Sequence, residues 1–295
     1  MPSSNEDSSW YESMKESNYL YDWPAYYETA FSFRDIPKEV EFFDECIRQY
    51  SRIPVRKVLE LGAGTAPHMQ EWARRKIEYV GIDTNENMLD YARRKAEKLG
   101  IAATLLRDDM RDFSLDGPVD FAYTMLGSLY AKTTENINSH LNSVANALSP
   151  GGLYFLDWCV NFQWADPSNS DQSWSIENGQ AKIEVRFRTE VLDRAAQTVR
   201  NTLTANIDDG GKLLKLDAED IVRTIFPQEF LLLVERSKKF EFLGWWNNWK
   251  LEAPIREATR IARPIVLLRR ITRDLLKQTG PRESWKPWQC VLGIV

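Results

Sequence analysis

Residues 58–65, with the sequence Val-Leu-Glu-Leu-Gly-Ala-Gly-Thr, decide the fold of this chain. A short run of strand-forming residues that carries the carboxylate of Glu60 is broken by two glycines, Gly62 and Gly64. Glycine takes positive φ angles at little steric cost and lets the backbone approach a ligand closely. The pattern therefore predicts a strand that ends in a tight, ligand-accessible turn before a helix.

A second short run that ends in an acid follows at residues 79–83, Tyr-Val-Gly-Ile-Asp. Asp83 lies 21 positions after Gly62 (83 − 62), which leaves room for one helix and a return to the sheet. A carboxylate at the end of such a second strand can accept hydrogen bonds from both hydroxyls of a ribose. The two runs together predict a nucleoside site at the carboxyl ends of neighbouring parallel strands.

The details of the glycine turn separate two kinds of nucleoside cofactor. A dinucleotide fold needs a third glycine and seats a pyrophosphate on the following helix. Here Pro67 stands at that third position, and the charge of Glu60 would repel a pyrophosphate but suits a ligand with a positive end. The turn resembles motif I of the class I S-adenosylmethionine-dependent methyltransferases. This resemblance implies that S-adenosylmethionine (SAM) is the cofactor.

Three later stretches follow in the order that the same family shows. Residues 107–113 come after a short predicted strand, and the pair Asp109 and Met110 resembles the family's contact with the adenine ring. Residues 119–129 resemble the fourth strand with its substrate-facing loop, and residues 148–157 resemble the Leu-x-Pro-Gly-Gly turn into the fifth strand. The implied fold class is α/β. It has a Rossmann-like sheet of seven mostly parallel strands, one of them antiparallel, with helices on both faces and an inserted antiparallel β cap.

The resemblance also implies which residues bind the cofactor and the substrate. The cofactor-binding set lies in the N-terminal segment, in motif I and at the ends of strands two to four: Tyr21, Tyr27, Glu60, Gly62, Ala63, Gly64, His68, Asp83, Thr84, Met88, Asp109, Met110, Met125 and Leu126. The substrate-binding set lies at the ends of strands four and five and in the cap: Tyr130, Asp157, Trp158 and Trp174. No residue stands out as a general base, so the catalytic residues stay unassigned.

Several of these residues also have a purely structural interpretation. His68 is interpreted as a residue that orders the motif I loop, and for Asp157 a capping role is as plausible as a chemical one. Trp158, Trp164 and Trp174 cluster in sequence at the entrance to the cap. They either hold a cationic group by cation–π attraction or form the small core of the cap itself.

The pattern along the chain predicts six segments. They are a flexible N-terminus (1–17), N-terminal lid helices (18–54), a SAM-binding core (55–157), an antiparallel β cap of three or four strands (158–224), the completion of the core (225–271) and a C-terminal extension (272–295). Two stretches compete for the last, antiparallel strand of the main sheet, residues 263–271 and residues 289–295.

Composition limits the partners and the location. The net charge is −5, from 38 basic and 43 acidic residues, which disfavours a nucleic-acid substrate. No apolar run reaches transmembrane length, and the first residues lack the features of a signal peptide. The cysteines, three in number, and the two histidines do not follow a metal-ligand spacing. We therefore expect a cytoplasmic monomer or homodimer with reduced thiols, no metal ion and a small-molecule substrate.

The overall layout is similar to that of small-molecule methyltransferases such as the glycine/sarcosine and amino-sugar N-methyltransferases. Tyr21 and Tyr27 match lid tyrosines of that group, although the pattern ends here in Glu28 and contains Pro24. The resemblance implies transfer of a methyl group from SAM to N or O of a small metabolite or natural product. Three alternatives remain at this point: an enzyme of the same fold that uses SAM for another reaction such as cofactor cyclisation, a nicotinamide-dependent oxidoreductase, and a non-catalytic binding module.

Overall fold

The computed structural model describes residues 17–163, 171–179, 181–255 and 260–271. A short 3₁₀ helix spans Leu20–Asp22. The α-helices are α1 (Pro24–Ala30), α2 (Ile36–Tyr50), α3 (Met69–Arg74), α4 (Glu86–Leu99), α5 (Thr134–Ala147) and α6 (Pro227–Ser237). The strands are β1 (Lys57–Leu61), β2 (Glu78–Asp83), β3 (Ala103–Arg107), β4 (Val119–Thr124), β5 (Leu148–Asp157), β6 (Asp171–Asn178), β7 (Ala181–Asp193), β8 (Thr198–Asp209), β9 (Lys212–Arg223), β10 (Phe240–Asn247), β11 (Lys250–Pro254) and β12 (Pro264–Arg270).

The helix ends follow local sequence signals. The side chain of Asn85 accepts a hydrogen bond from the backbone N–H of Met88 and so caps the start of α4, as the sequence predicts. That helix ends at Gly100, whose φ of 65° is the left-handed conformation that glycine adopts most easily. Helix α3 starts at Met69, because the preceding Ala66 has a φ of 49° and cannot begin a helix.

The main sheet has the strand order β11-β10-β12-β5-β4-β1-β2-β3. Strands β1 to β5 run parallel to one another, whereas β12 pairs antiparallel with both β5 and β10. Among the described residues this sheet has eight strands, one more than the predicted seven. The chain turns at Asn248 and Trp249 and returns as β11, which pairs antiparallel with β10 and extends the edge of the sheet.

Helices cover both faces of this sheet, because successive strand residues point to opposite sides. In β1, Leu59 packs in a core with α5 and α6, whereas Val58 packs in a second core with α2, α3 and α4. Phe43 of α2 and Trp72 of α3 are fully buried in that second core. The two cores hold the carboxyl ends of the parallel strands in fixed positions.

Strands β6 to β9 form a separate antiparallel sheet in the predicted cap. Its hairpin turns fall at Gly179 and at Gly210-Gly211, where the sequence places turn signals. The inner face of this sheet, which includes Ile183 and Leu216, packs on the N-terminal residues Leu20 and Trp23. The N-terminal segment therefore lies between the cap and the core.

The last strand of the main sheet is the first of the two predicted candidates. Strand β12 falls within residues 263–271 and is antiparallel to its neighbours, as expected. Residues 289–295, the C-terminal extension, residues 1–16 of the predicted N-terminal segment and Trp164 lie outside the described residues. No helix in the described ranges is both long and apolar enough to cross a membrane.

Candidate active site

The turn after β1 adopts the open conformation that its glycines predict. Gly62 has a φ of 71° and Gly64 a φ of 52°, both in the left-handed region. The backbone N–H groups of Gly62 and Ala63 both donate to the carbonyl oxygen of Ile82, at 2.9 Å each. These bonds fix the turn against the end of β2. A Cβ atom at Gly64 would meet no atom of the protein within 4 Å, so open space lies in front of this backbone.

Asp83 ends β2 beside this turn. Its Oδ2 accepts a hydrogen bond from the N–H of Gly64 at 2.7 Å, and its Oδ1 accepts one from the N–H of Asn85 at 2.9 Å. Burial raises the pKa of the Asp83 carboxyl above its usual value, against the opposing effect of these backbone donors. Each oxygen keeps a lone pair for a ligand, because a carboxylate accepts about four hydrogen bonds.

A cavity of about 360 Å³ lies in front of Asp83, at the carboxyl ends of the parallel strands. Its walls come from the N-terminal segment, the turn after β1, the ends of β2 and β3, the loop after β4, and β9 of the cap: Tyr19, Tyr21, Tyr27, Gly62, Gly64, Ile82, Asp83, Thr84, Asn85, Met88, Asp108, Asp109, Met110, Arg111, Ser128, Tyr130, Lys132, Asp220 and Ile221. Open α/β sheets bind their ligands at this edge. A second cavity, of about 210 Å³, lies in the cap among residues such as Arg186 and Thr204, apart from the glycine turn.

Asp109 and Met110 form the end of the cavity that follows β3. The guanidinium of Arg111 donates to Asp109 from Nε at 2.9 Å and 3.0 Å. These bonds hold the pKa of the Asp109 carboxyl below its usual value. Met110 is almost fully buried. The pair therefore offers an ionised acceptor beside an apolar surface.

Tyrosines from two distant parts of the chain meet above the turn. The hydroxyl oxygens of Tyr21 and Tyr130 lie 3.4 Å apart, and the rings of Tyr21 and Tyr27 are 5.5 Å apart between centroids. Burial raises the pKa of Tyr27 to about 12 and that of Tyr21 well above its usual value. These phenols therefore stay protonated at neutral pH.

The predicted site residues divide into two groups. Ten line the cavity: Tyr21, Tyr27, Gly62, Gly64, Asp83, Thr84, Met88, Asp109, Met110 and Tyr130. Eight do not line it: Glu60, Ala63, His68, Met125, Leu126, Asp157, Trp158 and Trp174. The predicted contacts of the first group stay predictions, and the structure gives members of the second group other partners.

Glu60 and His68 lie in a buried polar network behind the turn. Oε1 of Glu60 is 2.8 Å from Nδ1 of His68, and its Oε2 accepts from the hydroxyls of Tyr79 and Tyr123 at 2.6 Å and 3.1 Å. Glu60 is only 2% exposed. Its carboxylate is therefore held among these buried partners, and its predicted contact with a cofactor stays a prediction.

The other nitrogen of His68 continues this network towards α2. Nε2 of His68 is 2.9 Å from Oε2 of Glu39 and 3.2 Å from the guanidinium of Arg34. Burial alone would lower the pKa of His68, but the carboxylates of Glu60 and Glu39 outweigh it and raise that pKa. Burial would raise the pKa of Glu39, yet His68 and Arg34 lower it to about 2. The ring of His68 thus joins Glu39 of α2 to Glu60 of β1, which agrees with the predicted ordering role of His68.

Three of the predicted substrate-binding residues form contacts within the protein, and their role towards a substrate stays a prediction. Asp157 is fully buried and binds the guanidinium of Arg263 at 2.7 Å and 2.6 Å while it accepts from the N–H of Leu126. Trp158 is 43% exposed, and its N–H donates to Pro264 in β12. The indole of Trp174 donates to the carbonyl oxygen of Ala30 at 2.8 Å. Trp174 thus joins the cap to the N-terminal segment.

Sequence reasoning missed Asp220 and Lys132, which also line the cavity. The sequence pattern could have indicated Asp220, because it follows Leu216 and Ala218 at alternate positions of β9, which point inwards. Lys132 lies in the loop after β4 and follows no pattern that distinguishes it from other surface lysines. Arg34 and Glu39 were also missed, since their buried partners are far away in sequence.

The charges of the cavity suit a cationic nucleoside. Four carboxylates line it, and the cationic side chains are Arg111, which is ion-paired with Asp109, and Lys132. A pyrophosphate would lie among negative charges here, whereas a sulfonium nucleoside would not. The backbone turn, the carboxylate of Asp83 and the pair Asp109-Met110 lie along the same cavity.

Comparison with protein families agrees with this geometry. Residues 58–152 match the family model described as a methyltransferase domain. This matched region is about a third of the chain. It includes β1 to β4 and the glycine turn, that is, the strands whose carboxyl ends form one side of the cavity. A search of curated protein sequences gave no match.

Solved structures extend the likeness beyond residues 58–152. The chain is similar to an S-adenosylmethionine-dependent methyltransferase from Clostridium acetobutylicum, with a TM-score of 0.70 and 15% identity over 86% of this chain and 100% of that one. It is similar to the amino pentose methyltransferase CalS10 from Micromonospora echinaspora, with a TM-score of 0.64 and 16% identity over 83% and 95%. It is also similar to the sugar N-methyltransferase KedS8 from Streptoalloteichus, with a TM-score of 0.64 and 18% identity over 81% and 89%. These likenesses confirm the predicted fold class.

Proposed function

We propose that the protein transfers a methyl group from SAM to a nitrogen or oxygen atom of a small molecule. One observation carries this proposal: the cavity lined by Gly62, Gly64, Asp83 and Asp109 opens at the carboxyl ends of the strands of a methyltransferase domain. The structural neighbours named for amino pentose and sugar methylation support a small acceptor. A cytoplasmic site of action remains a prediction from composition.

The cavity residues would hold the cofactor by its separate parts. Asp83 would accept hydrogen bonds from the ribose hydroxyls, and the glycine turn would let the amino-acid end approach the backbone. Asp109 would accept from the exocyclic amine of adenine, with Met110 against the ring. When bound, SAM supplies an activated methyl group whose leaving group is a neutral thioether.

The protein's own task is then to place an acceptor atom in line with that methyl group. Fixed orientation and a short approach distance contribute much of the rate in such reactions. A neutral amine needs no further activation, whereas a hydroxyl needs a general base within hydrogen-bond reach. The buried phenols of Tyr21 and Tyr130 can donate hydrogen bonds to an acceptor, because their raised pKa values keep them protonated.

Calorimetry with S-adenosylhomocysteine (SAH), the demethylated product, tests the cofactor assignment. We expect SAH to bind the wild-type protein and Asp83→Ala to weaken that binding by about 2–4 kcal/mol, the value of lost hydrogen bonds to a buried charged group. Asp116→Ala is the matched control, because Asp116 is an exposed carboxylate outside the cavity. The melting temperature of each variant shows whether it is folded.

Other outcomes would support the alternative functions. Binding of NAD without binding of SAH would overturn the methyltransferase proposal in favour of an oxidoreductase. Incubation with SAM alone distinguishes a third possibility, because cofactor cyclisation would release methylthioadenosine and no SAH. An unchanged SAH affinity in Asp83→Ala would remove the ribose contact from the proposal.

A further inference from the structure

Asp220 is a carboxylate that follows apolar residues on one face of β9 in the cap. Residues Leu216 and Ala218 precede it at alternate positions of β9 and are buried in the core between the cap and the N-terminal segment. Asp220 follows on the same face, because strand residues two apart point to the same side. It lies opposite Asn201 of β8, which in turn lies opposite Thr189 of β7. A polar row therefore crosses the inner face of the cap where that face meets the cavity.

The other carboxylates of the cavity already have partners. Asp83 accepts from two backbone N–H groups, and Asp109 is ion-paired with Arg111. Asp108 accepts from the backbone N–H of Asp109 at 2.8 Å. Among the residues that the structure describes, no hydrogen bond or ion pair to the carboxylate of Asp220 is found.

The groups that face Asp220 do not neutralise it. Lys132, in the loop after β4, lies within electrostatic range but forms no ion pair with Asp220 in the described part of the chain. Tyr21 and Tyr130, which line the same cavity, experience the charge of Asp220. Burial raises the pKa of the Asp220 carboxyl, which brings it nearer to that of an amine. A partly buried carboxylate without a partner is costly unless a ligand supplies the missing donor or charge.

We propose that Asp220 binds the protonated amine of the methyl acceptor and takes its proton, which assigns the acceptor to the small primary or secondary amines. This inference rests on the proposed methyltransferase function and names its substrate class. The N–H bond of the ammonium breaks, the proton passes to Oδ of Asp220, and nitrogen keeps the electron pair with which it would form the new N–C bond. The bond between that methyl carbon and the sulfur of SAM would break at the same time, with its electron pair left on the sulfur of the neutral thioether product. Solvent receives the proton afterwards, so that each turnover releases one proton.

A pair of ring-shaped probes tests the assignment without knowledge of the natural acceptor. Cyclohexylamine is cationic at neutral pH, and cyclohexanol is its neutral counterpart of nearly the same shape. Binding of each to the SAH-saturated protein is measured by saturation-transfer NMR. We expect the wild-type protein to bind the amine about tenfold or more tightly than the alcohol, as a charged hydrogen bond would give.

Two variants test whether Asp220 causes the preference for the amine. Asp220→Asn keeps the shape of the side chain and should abolish the preference for the amine while SAH affinity stays unchanged. Glu219→Gln removes the same charge from the neighbouring residue, whose side chain lies on the outer face beside Arg200, and should keep the preference. These readouts separate ligand binding from a structural role of Asp220.

Each result decides the question. A wild-type protein with no amine preference, including one that binds neither probe, overturns the proposal, as does an Asp220→Asn variant that retains the preference. Tighter binding of the alcohol would assign Asp220 to a hydroxyl acceptor instead. Failure of SAH to bind the wild-type protein would reject the methyltransferase function itself, which is a different outcome from the loss of amine preference.

Discussion

At the scale of single residues, two glycines with similar backbones differ in what they face. Gly64 and Gly100 have φ angles of 52° and 65°, and a Cβ atom at either would meet no protein atom within 4 Å. Gly64 faces the cavity, whereas Gly100 ends α4 outside it. Backbone strain and ligand clearance can therefore be separated by comparing the two positions.

We expect Gly64→Ala and Gly100→Ala to lower the free energy of unfolding by a similar amount, about 1–2 kcal/mol, because both force alanine into the left-handed region. Only Gly64→Ala should also weaken SAH binding, by about 1–3 kcal/mol, since its methyl group enters the cavity. Urea unfolding and calorimetry measure the two quantities. Equal SAH affinity in both variants would show that the ligand does not approach this turn.

The residues that sequence predicted well share one property. The positive φ angles of Gly62 and Gly64 and the position of Asp83 at the end of a strand depend only on a short stretch of sequence. Glu60 was assigned to the cavity because it lies in the same stretch, but His68, Tyr79 and Tyr123 bind its carboxylate from elsewhere. The direction of a buried side chain depends on distant partners, and a local pattern does not contain them.

At the scale of elements, the end of β5 is fixed by a buried ion pair. Asp157 receives two hydrogen bonds from Arg263, which precedes β12, and one from the N–H of Leu126 after β4. Leu126 has a φ of 54°, which is unfavourable for a branched residue. Asp157 therefore ties three strand ends together and stabilises a strained loop beside the cavity.

An exposed Asp–Arg ion pair on the cap serves as the comparison for the buried pair of Asp157 and Arg263. Asp171 binds Arg186 on the cap through two hydrogen bonds, but the side chains are 44% and 62% exposed. We expect Asp157→Asn to lower the free energy of unfolding by about 2–3 kcal/mol, because the charge of Arg263 loses its buried partner. Asp171→Asn should cause no measurable change, since solvent screens exposed pairs. Similar losses in chemical denaturation would contradict this dependence on burial.

The strands and helices of the main sheet were predictable because the spacing of hydrophobic residues and the residues typical of helix ends indicate the same boundaries. Strand β2, Glu78–Asp83, contains the run of residues 79–83 from which it was predicted, and Asn85 caps the helix α4 that follows. Strand β11 was missed because its inner and outer residues alternate over only five positions at a sheet edge, next to the aromatic turn at Trp249. Short edge strands carry too little pattern to be recognised without their partner.

At the scale of the whole molecule, the N-terminal segment connects the cap to the core. Its residues Leu20 and Trp23 pack on the cap, while Asp22 accepts hydrogen bonds from Asn85 and Asn87 at the start of α4. The sequence predicted a lid here, and its tyrosines do line the cavity. The buried network that anchors the following helix α2 could not be predicted, since its members are spread from residue 34 to residue 123.

This network makes a pH-dependent contribution to stability whose sign follows from its pKa shifts. The pKa of Glu39 is about 2 in the folded protein, below its unfolded value of about 4.3, so its contribution is present above that unfolded value and is lost as the pH falls towards 2. The folded pKa of His68 is raised, so its contribution is complete below about pH 6.5 and is lost as the pH rises through the folded pKa. The network is therefore strongest in mildly acidic solution.

Glu39→Gln tests this coupling between α2 and the core. At about pH 6 the variant should be less stable than the wild-type protein by about 3 kcal/mol, because Arg34 and His68 lose a buried carboxylate. The difference should shrink as the pH falls from about 4.3 towards 2, because the unfolded wild-type protein then binds a proton at Glu39 that the folded protein does not bind until about pH 2. Glu41→Gln on the exposed side of the same helix is the control and should match the wild-type protein throughout. A constant difference across this range in urea unfolding would mean that Glu39 stabilises the helix by packing and not by its charge.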